Sequence, residues 1–358
     1  MRKFFITAVA LFFVYVGSAQ NNISNAPLVI KEQGSFLAGG TVVKGEGVYD
    51  THDQTNPKGQ TSHADHAYVS FQIPVDAHPY PMVFLHGAGQ SGKTWETTPD
   101  GREGFGTIFL RRGYSTYIVD QPRRGRAGQS SVSASISAKP QDQYWFENFR
   151  MGHWPNLFDG SQFPGDSASL DQFFRQITPN TGNYDSEVIA EAMSSVFDRV
   201  GDGILVTHSQ GGGPGWLTAI KNPHVKAVAS YEPGSDFVFP EGEVPAPIKC
   251  NDSYGVLEAK AISASDFEKL TAMPIVIYYG DNIPKDPSPD WALDHWRVRV
   301  EMAEKFVNCI NRHGGNAQLV ILPQVGIKGN SHFIFAEKNN VEVADLLSKW
   351  LHEKKLDR

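Results

Sequence analysis

The sequence is poor in cysteine, with only two among its 358 residues, Cys250 and Cys309. Their separation matches no metal-binding motif, and a single disulfide cannot hold together a chain of this length. In an exported protein the two residues could form one disulfide, and two separate buried thiols are the alternative. The cysteines therefore indicate neither a metal site nor a disulfide scaffold.

Basic residues are too few to suggest a nucleic-acid partner. The chain has 32 Lys and Arg against 39 Asp and Glu, which gives a formal net charge of −7 at pH 7. No stretch concentrates the positive charge that binding to a phosphate backbone requires. With 40% hydrophobic and 20% charged residues, the composition is that of an ordinary soluble globular protein.

Long hydrophobic runs are missing except at the N-terminus. Basic Arg2 and Lys3 precede an apolar stretch at 4–16, and small residues follow at 17–19. This stretch is too short to span a bilayer and has the pattern of a secretory signal peptide, residues 1–19. We therefore predict a secreted or periplasmic protein with no membrane anchor after cleavage, and a mature net charge of about −9.

The rest of the chain alternates short apolar runs with helical patterns. We expect one domain at 20–358, with an α/β fold, a mostly parallel, doubly wound sheet of about eight strands and helices on both faces. The first two predicted strands form an antiparallel hairpin, and the later six are buried. The strands are expected at 35–43, 67–73, 81–85, 114–119, 204–206, 225–230, 274–279 and 317–322.

Residues 131–184 break this alternation. They are rich in serine at first and then in aromatic residues, with no clear period. A stretch of this length inside a compact domain is usually functional. We predict a cap over an active site, and the alternative is a structural excursion packed on the surface.

A second glycine-rich pattern offers a different function. Gly87-x-x-x-x-Gly92-Lys93-Thr94 matches a P-loop and follows a predicted strand. A P-loop lysine and threonine must open a helix whose N-terminus holds phosphate. Here a Pro-Asp-Gly turn follows within a few residues, with no helical period. Nucleotide binding therefore remains the weaker interpretation, and an oxyanion loop after the third strand of a hydrolase is the stronger one.

A candidate nucleophile lies in the segment Thr207-His208-Ser209-Gln210-Gly211. A buried strand precedes it and a helical segment follows, which is the context of a nucleophile elbow. Residues two before and two after the serine face one another in such a turn, so both should be small. Gly211 meets this demand, whereas Thr207 stands where glycine is usual. We predict that Ser209 is a nucleophile and that the Gln210 backbone N–H faces the reacting carbonyl oxygen.

Two further residue types would complete a catalytic triad. His332 lies between the last predicted strand and the last predicted helix, and the chain order serine, acid, histidine is that of the hydrolases. His332 would act as general base. Asp281 comes directly after the seventh strand, and Glu232 follows the sixth. The longer reach of glutamate suits a position one strand nearer to the nucleophile, but the residues alone leave both acids open.

Several short motifs together resemble the esterase 713-like family, a group of secreted bacterial esterases within the α/β-hydrolases. The similarity runs from about residue 34 to the C-terminus and is carried by His86-Gly87, Thr94-Trp95-Glu96, Pro99-Asp100-Gly101-Arg102, Asp120-Gln121-Pro122, Ser209-Gln210-Gly211 and Tyr231-Glu232-Pro233. The resemblance implies an α/β-hydrolase fold and hydrolysis of carboxylic esters without a metal or organic cofactor. In that family the acid is a glutamate after the sixth strand, which corresponds to Glu232.

The resemblance also has a local departure. Ala88-Gly89 stands where one known member of the family has adjacent cysteines. The substrate preference of that member is therefore not expected to apply here. We expect the oxyanion donors to be the backbone N–H groups of Gln210 and Ala88, with Gly89 as the alternative to Ala88.

The sequence thus predicts an exported serine esterase that cleaves a small-molecule ester through an acyl-enzyme intermediate. Ser209, His332 and Glu232 form the expected triad, and Asp281 is the alternative acid. No cofactor, metal or nucleic acid is expected. The oligomeric state, including a homodimer, is left open. A non-catalytic ligand-binding protein on the same fold is the other function that the sequence allows.

Overall fold

The computed structural model describes residues 26–358. The predicted signal peptide at 1–19 lies outside the described residues and stays a prediction. Within the described range, no helix has both the length and the apolar character needed to cross a membrane.

A central sheet of eight strands organises the fold. In chain order these strands are β1 (Ile30–Ala38), β2 (Ala67–Pro74), β3 (Met82–Leu85), β4 (Thr116–Asp120), β5 (Gly203–His208), β6 (Val225–Tyr231), β7 (Pro274–Tyr279) and β8 (Asn316–Ile321). Their spatial order in the sheet is β1-β2-β4-β3-β5-β6-β7-β8. β2 pairs antiparallel with β1 and β4, and all other neighbours are parallel. The predicted α/β fold with a mostly parallel sheet of about eight strands is confirmed. The carboxyl ends of the parallel strands meet at one edge of the sheet, where functional loops converge.

Helices cover both faces of this sheet, as predicted. In the described part of the chain the helices are α1 (Phe105–Arg111), α2 (Asp142–Asn148), α3 (Ser167–Arg175), α4 (Ser186–Val200), α5 (Gly212–Lys221), α6 (Ala264–Thr271), α7 (Trp291–Arg312) and α8 (Asn340–Glu353). Leu205 of β5 packs into a core built with α4, α5, α6 and α7, whereas Ile204 and Val206 pack into a second core with α1 and α8. Because both faces are covered, the central strands are continuous apolar runs in the sequence.

The first predicted strand was wrong in its extent. We expected it at 35–43, whereas β1 ends at Ala38 and a separate strand, Thr41–Lys44, leaves the sheet. Gly39 and Gly40 make the break, with left-handed φ angles of 65° and 95°. A Cβ at Gly40 would lie 2.5 Å from a backbone carbonyl oxygen. The chain therefore turns away from the sheet where the backbone needs glycine.

Residues 131–184 contain little regular structure, in line with their lack of periodicity. They include α2, α3 and a small ladder between Gly152–His153 and Asn156–Leu157. Phe146 and Phe173 of this segment are buried in the core that contains α1 and α8. The segment is thus held to the body of the protein by aromatic packing. The remaining short ladders pair Thr41–Lys44 with Thr61–Ala64, Val238–Pro240 with Lys260–Ile262, and Ile248–Lys249 with Val256–Leu257.

Cys250 and Cys309 are both buried free thiols. This is the second of the two arrangements that the sequence allowed. Burial raises the pKa of each thiol to about 11, so both are protonated at neutral pH. Neither residue cross-links the fold.

Candidate active site

Ser209 lies in the turn that joins β5 to α5. Its φ angle of 54° is left-handed, which is unusual for a residue with a side chain. Strain of this kind persists where the surroundings hold the residue in place, and a nucleophile elbow is such a place. Gly87, in the loop after β3, packs against the serine so closely that a Cβ there would lie 2.6 Å from the Ser209 Cβ. The backbones of the two loops therefore meet at Ser209.

Thr207 fits the elbow although glycine is usual at its position. Its hydroxyl donates to the Ser230 hydroxyl on the neighbouring strand β6, at 2.8 Å. Its methyl group packs against Gly215 of α5, where a Cβ would lie 2.7 Å from Thr207 Cγ2. The space that the elbow normally gains from a small residue in the strand comes here from a glycine in the following helix.

The structure brings His332 and Glu232 together. The His332 Nδ1 atom lies 2.6 Å from Glu232 Oε2, and both side chains are completely buried. The His332 ring packs between aromatic neighbours, 4.0 Å from the Trp296 ring and 5.2 Å from the Phe149 ring, measured between centroids. It also lies 4.4 Å from the ring of His208, the residue before Ser209, measured between centroids. The imidazole is therefore fixed beside the elbow.

The protonation of His332 follows from its surroundings. Burial lowers its pKa well below 6.5, and the nearby Arg150 cation acts in the same direction. A neutral ring that donates from Nδ1 to Glu232 has its Nε2 lone pair free to accept a proton. That Nε2 atom is enclosed and makes no hydrogen bond within the described part of the chain. A serine–histidine hydrogen bond often forms fully only when substrate binds.

The alternative acid, Asp281, is engaged elsewhere. Its carboxylate accepts the backbone N–H groups of Asn282, at 2.7 Å, and Gly329, at 2.8 Å. Its own backbone N–H donates to the Asn330 carbonyl at 2.8 Å. Asp281 therefore links the turn after β7 to the loop that carries His332, without contacting the imidazole.

Sequence reasoning missed Arg150, which contacts both candidate acids. Its Nη1 and Nη2 atoms lie 2.8 Å and 2.5 Å from the two carboxylate oxygens of Glu232. Its Nε donates to the Asp281 backbone carbonyl at 3.1 Å. The side chain is completely buried. Arg150 lies in the aperiodic segment 131–184, so no local pattern in the sequence marks it.

A hydrogen-bonded network holds the loop after β3. His86 Nδ1 lies 3.0 Å from the Gly87 carbonyl, and its Nε2 accepts the Gln121 backbone N–H at 3.2 Å. Burial lowers the pKa of His86 to about 4, so the ring is neutral and can donate at one nitrogen and accept at the other. Buried Arg124 donates to the carbonyls of Gly87 and Gln90, both at 3.2 Å. The expected oxyanion loop is thus fixed from two sides.

Ser209, Gln210 and Ala88 line one cleft of about 340 Å³. The Ala88 backbone N–H donates to no described residue, which leaves it available to a ligand. Gly89 does not line this cleft, and its carbonyl accepts the Thr178 backbone N–H at 2.9 Å. The structure therefore places the first of the two alternative donors, Ala88, beside the serine.

Three aromatic residues of the cleft wall come from two distant parts of the chain. Trp145 and Phe149 belong to the segment 131–184, and Trp296 belongs to α7. The segment predicted as a cap therefore contributes directly to the cleft. Whether it acts as a cap stays a prediction.

The P-loop interpretation does not fit the geometry of its own residues. Lys93 and Thr94 lie in a single 3₁₀ turn, Gly92–Trp95, rather than at the start of an α-helix. Lys93 Nζ donates to the Thr97 carbonyl at 2.6 Å. The Gly92 backbone N–H donates to the Asp120 carboxylate at 2.6 Å. A P-loop needs such backbone N–H groups for phosphate and a helix N-terminus behind them.

Comparison with known proteins gives two informative matches. No protein-family profile matches the chain. This chain is 29% identical over 315 residues to a probable secreted lipase, phiG, of Fungal sp. (strain ATCC 74256). The match covers 80% of this chain and 85% of the relative. A solved structure of a bacterial esterase is 30% identical, has a TM-score of 0.73, and the match covers 92% of this chain and 97% of the esterase. A predicted CIB-like hydrolase from Thermoplasma acidophilum is much more distant, with 14% identity and a TM-score of 0.41 over 80% of this chain and 93% of its own.

The sheet order, the elbow after β5 and the histidine after β8 define an α/β-hydrolase. The 30% identity to the solved bacterial esterase, over 92% of this chain, shows a relationship that goes beyond a shared fold. The chain belongs to the family of that bacterial esterase within the α/β-hydrolases, as its motifs indicated.

Proposed function

We propose that the protein is an exported carboxylic-ester hydrolase that uses Ser209, His332 and Glu232 as a catalytic triad. The observation that carries the proposal is the buried contact between His332 Nδ1 and Glu232 Oε2 beside the strained elbow of Ser209. The names of the two similar proteins, an esterase and a probable secreted lipase, support ester chemistry and export. The predicted signal peptide supports export as well.

The first half of the reaction acylates the serine. Ser209 Oγ attacks the ester carbonyl carbon and gives its proton to His332 Nε2. Glu232 stabilises the imidazolium that forms, through the hydrogen bond at Nδ1. The oxyanion accepts hydrogen bonds from the backbone N–H groups of Gln210 and Ala88. When the tetrahedral intermediate breaks down, the alcohol leaves with the proton of His332, and the acyl group stays on Ser209.

The second half regenerates the enzyme with water. His332 takes a proton from a water molecule, whose oxygen attacks the acyl carbon. The second tetrahedral intermediate uses the same oxyanion donors. The proton then returns to Ser209 Oγ as the carboxylic acid leaves. No cofactor enters either half of this sequence.

Hydrolysis of a panel of short-chain and long-chain esters by the purified mature protein tests the proposal. We expect turnover in the wild-type protein and a loss of about a thousandfold or more in Ser209→Ala. Circular dichroism serves as the control for folding. A well-folded Ser209→Ala variant with near-normal turnover, or a wild-type protein that hydrolyses none of the esters, would overturn the proposal.

A further inference from the structure

One buried arginine that lines the cleft, Arg299, differs from most of the other buried arginines in having no hydrogen-bonded carboxylate among the described residues. Arg299 of α7 is 8% exposed and lines the same cleft as Ser209. Its Nε donates to the Gly234 carbonyl at 2.7 Å, and its Nη1 donates to the His295 carbonyl at 2.6 Å. These bonds fix the orientation of the guanidinium but supply no negative charge.

Three of the four other buried arginines have a carboxylate oxygen at 2.8 Å or less. The fourth, Arg124, also has no carboxylate partner among the described residues, but it donates to carbonyls and to the Asn180 side chain and does not line the cleft. A buried cation without a hydrogen-bonded counterion is costly, so this matching is the expected arrangement. The three pairs are Arg123–Asp65, Arg150–Glu232 and Arg297–Asp294.

Arg299 lacks such a partner. Among the described residues, Asp252 alone brings a carboxylate oxygen within 4.0 Å of it, at 3.9 Å. That same oxygen lies 2.5 Å from His295 Nδ1 and is engaged there. Burial lowers the pKa of His295 to about 4, with Arg299 acting in the same direction, so the imidazole is neutral. Of the two lining residues His295 and Arg299, Arg299 is therefore the one that carries a positive charge.

Part of the Arg299 guanidinium has no hydrogen-bond partner among the described residues. The Arg299 Nη2 atom donates to no described residue, and it is not among the polar atoms that the protein encloses. Since the residue is otherwise buried and lines the cleft, these N–H groups open into it. Gly234, which anchors Arg299, is also next to the nucleophile, because a Cβ on it would lie 3.6 Å from Ser209 Oγ. The cation and the serine thus share one small space.

We propose that Arg299 forms a carboxylate subsite and that the substrates are esters carrying a free carboxylate in their acyl or alcohol half. This inference rests on the proposed ester hydrolysis at Ser209. A partly desolvated guanidinium with free N–H groups is well suited to hold a carboxylate. The Asp252 carboxylate, 3.9 Å away, offsets part of the charge of Arg299. The preference for a carboxylate over a neutral group therefore comes mainly from the oriented N–H groups of the guanidinium. A hydrogen bond between charged groups of this kind should raise kcat/KM for a carboxylate ester about ten- to hundredfold over that for a neutral ester.

Paired substrates test the subsite in the wild-type protein. Monoethyl succinate, glutarate and adipate are compared with the matching ethyl amido-esters, which replace the carboxylate by a neutral amide of the same shape. A second arm uses 4-acetoxybutanoate and 4-acetoxybutanamide and so moves the carboxylate to the alcohol half. We expect at least one carboxylate ester to exceed its amide by about tenfold or more in kcat/KM. Equal rates throughout both arms would overturn the inference, while leaving the proposed ester hydrolysis intact.

Variants then assign the selectivity to Arg299. In Arg299→Met the ratio of kcat/KM for the carboxylate ester to that for its amide should fall to about one. In Arg299→Lys the ratio should be intermediate, because lysine keeps the charge but cannot bind a carboxylate through two parallel N–H groups. Arg297→Lys is the matched control, since Arg297 is a buried arginine on the same helix that is paired with Asp294 and does not line the cleft. The carboxylate-to-amide ratio of Arg297→Lys should equal that of the wild-type protein. A wild-type ratio in Arg299→Met would overturn the inference.

Binding separates this inference from the proposed reaction. Calorimetry with Ser209→Ala should show that monoethyl glutarate binds more tightly than its amido-ester, even though neither is cleaved. If the wild-type protein hydrolyses no ester, this measurement still decides the subsite. If the Arg299 variants do not fold, the wild-type substrate ratio decides it. Equal affinities of the two ligands would contradict a carboxylate subsite.

Discussion

Arg150 and Glu232 form a completely buried, bidentate ion pair, and Glu232 also contacts His332. The two N···O distances are 2.8 Å and 2.5 Å, and the same Glu232 carboxylate contacts His332 Nδ1 at 2.6 Å. Glu232 Oε1 also accepts the Gly280 backbone N–H at 2.6 Å. The carboxylate therefore has a fixed orientation and a compensated charge. We regard Arg150 as a positioning residue that holds Glu232 in place, and its charge also acts directly on His332.

The first prediction concerns the pH dependence that Arg150 imposes. His332 must be neutral to accept the serine proton, so activity is lost as the pH falls through the pKa of His332. Burial, and then Arg150, hold that pKa well below 6.5. We expect the acidic limb of kcat/KM in the wild-type protein to lie well below pH 6.5. In Arg150→Met the limb should move to higher pH, since the opposing cation is gone.

Two controls distinguish positioning from general destabilisation. Arg150→Met leaves a buried carboxylate unpaired and should cost about 3–5 kcal/mol of stability, so activity is measured well below its unfolding temperature. Arg150→Lys keeps the charge and should leave the limb near its wild-type pH. The groups that also face His332 are His208, His295 and Arg299, and they are unchanged in both variants. A limb that does not move in Arg150→Met would contradict this role.

The second prediction assigns the triad acid. Glu232→Gln should lower turnover by roughly ten-thousandfold, because the imidazolium loses its stabilising partner and the ring its correct tautomer. Asp281→Asn removes a turn-capping carboxylate and should cost about 1 kcal/mol of stability with little effect on turnover. Steady-state kinetics and thermal unfolding of both variants decide between the acids. An inactive Asp281→Asn beside an active Glu232→Gln would show that Asp281 is the acid.

The third prediction concerns Glu337, a buried carboxylate in the loop that carries His332. It accepts the Ser331 backbone N–H at 2.8 Å and the Asn330 side-chain amide at 2.7 Å. Burial raises its pKa from 4.5 to about 7. The folded state then keeps its proton between pH 4.5 and about 7 while the unfolded state loses it, so this group's contribution to stability is lost as the pH rises through that window.

Glu337→Gln removes this titration. The variant should gain stability relative to the wild-type protein by about 3 kcal/mol as the pH is raised from 4.5 to above 7. Urea unfolding at several pH values measures the difference, and Glu342→Gln, an exposed carboxylate of α8, is the control. A difference between variant and wild type that does not change with pH would show that Glu337 does not titrate in this window.

Local patterns in the sequence predicted the sheet well. Apolar runs buried on both faces mark β3 to β7, because such strands tolerate few polar residues. The edge strand β8 is only partly buried. The extent of β1 escaped prediction, because the strand-like residues Val42 and Val43 follow Gly39 and Gly40 in the sequence although the chain has already left the sheet there. The tertiary contact that forces the turn involves a distant backbone, which no local pattern records.

The candidate site could be predicted from the sequence where its signals are local, and not where they depend on contacts between distant segments. Ser209 and His332 stand in loops with recognisable neighbours, and the structure places them at the same edge of the sheet. The choice between Glu232 and Asp281 depended on the orientation of two turns that the residues alone did not fix. Arg150 could not be found at all, because its partner is 82 residues away in the chain and its own segment has no period. Buried ion pairs between distant segments are decided by packing.

The most direct measurement is covalent trapping of the nucleophile. The mature protein is incubated with a fluorophosphonate, digested, and analysed by mass spectrometry to locate the adduct. We expect one adduct, on Ser209, together with complete loss of ester hydrolysis, and no adduct in a folded Ser209→Ala variant. An adduct on another residue, or a wild-type protein that hydrolyses esters yet is not labelled at Ser209, would contradict a serine nucleophile in this elbow.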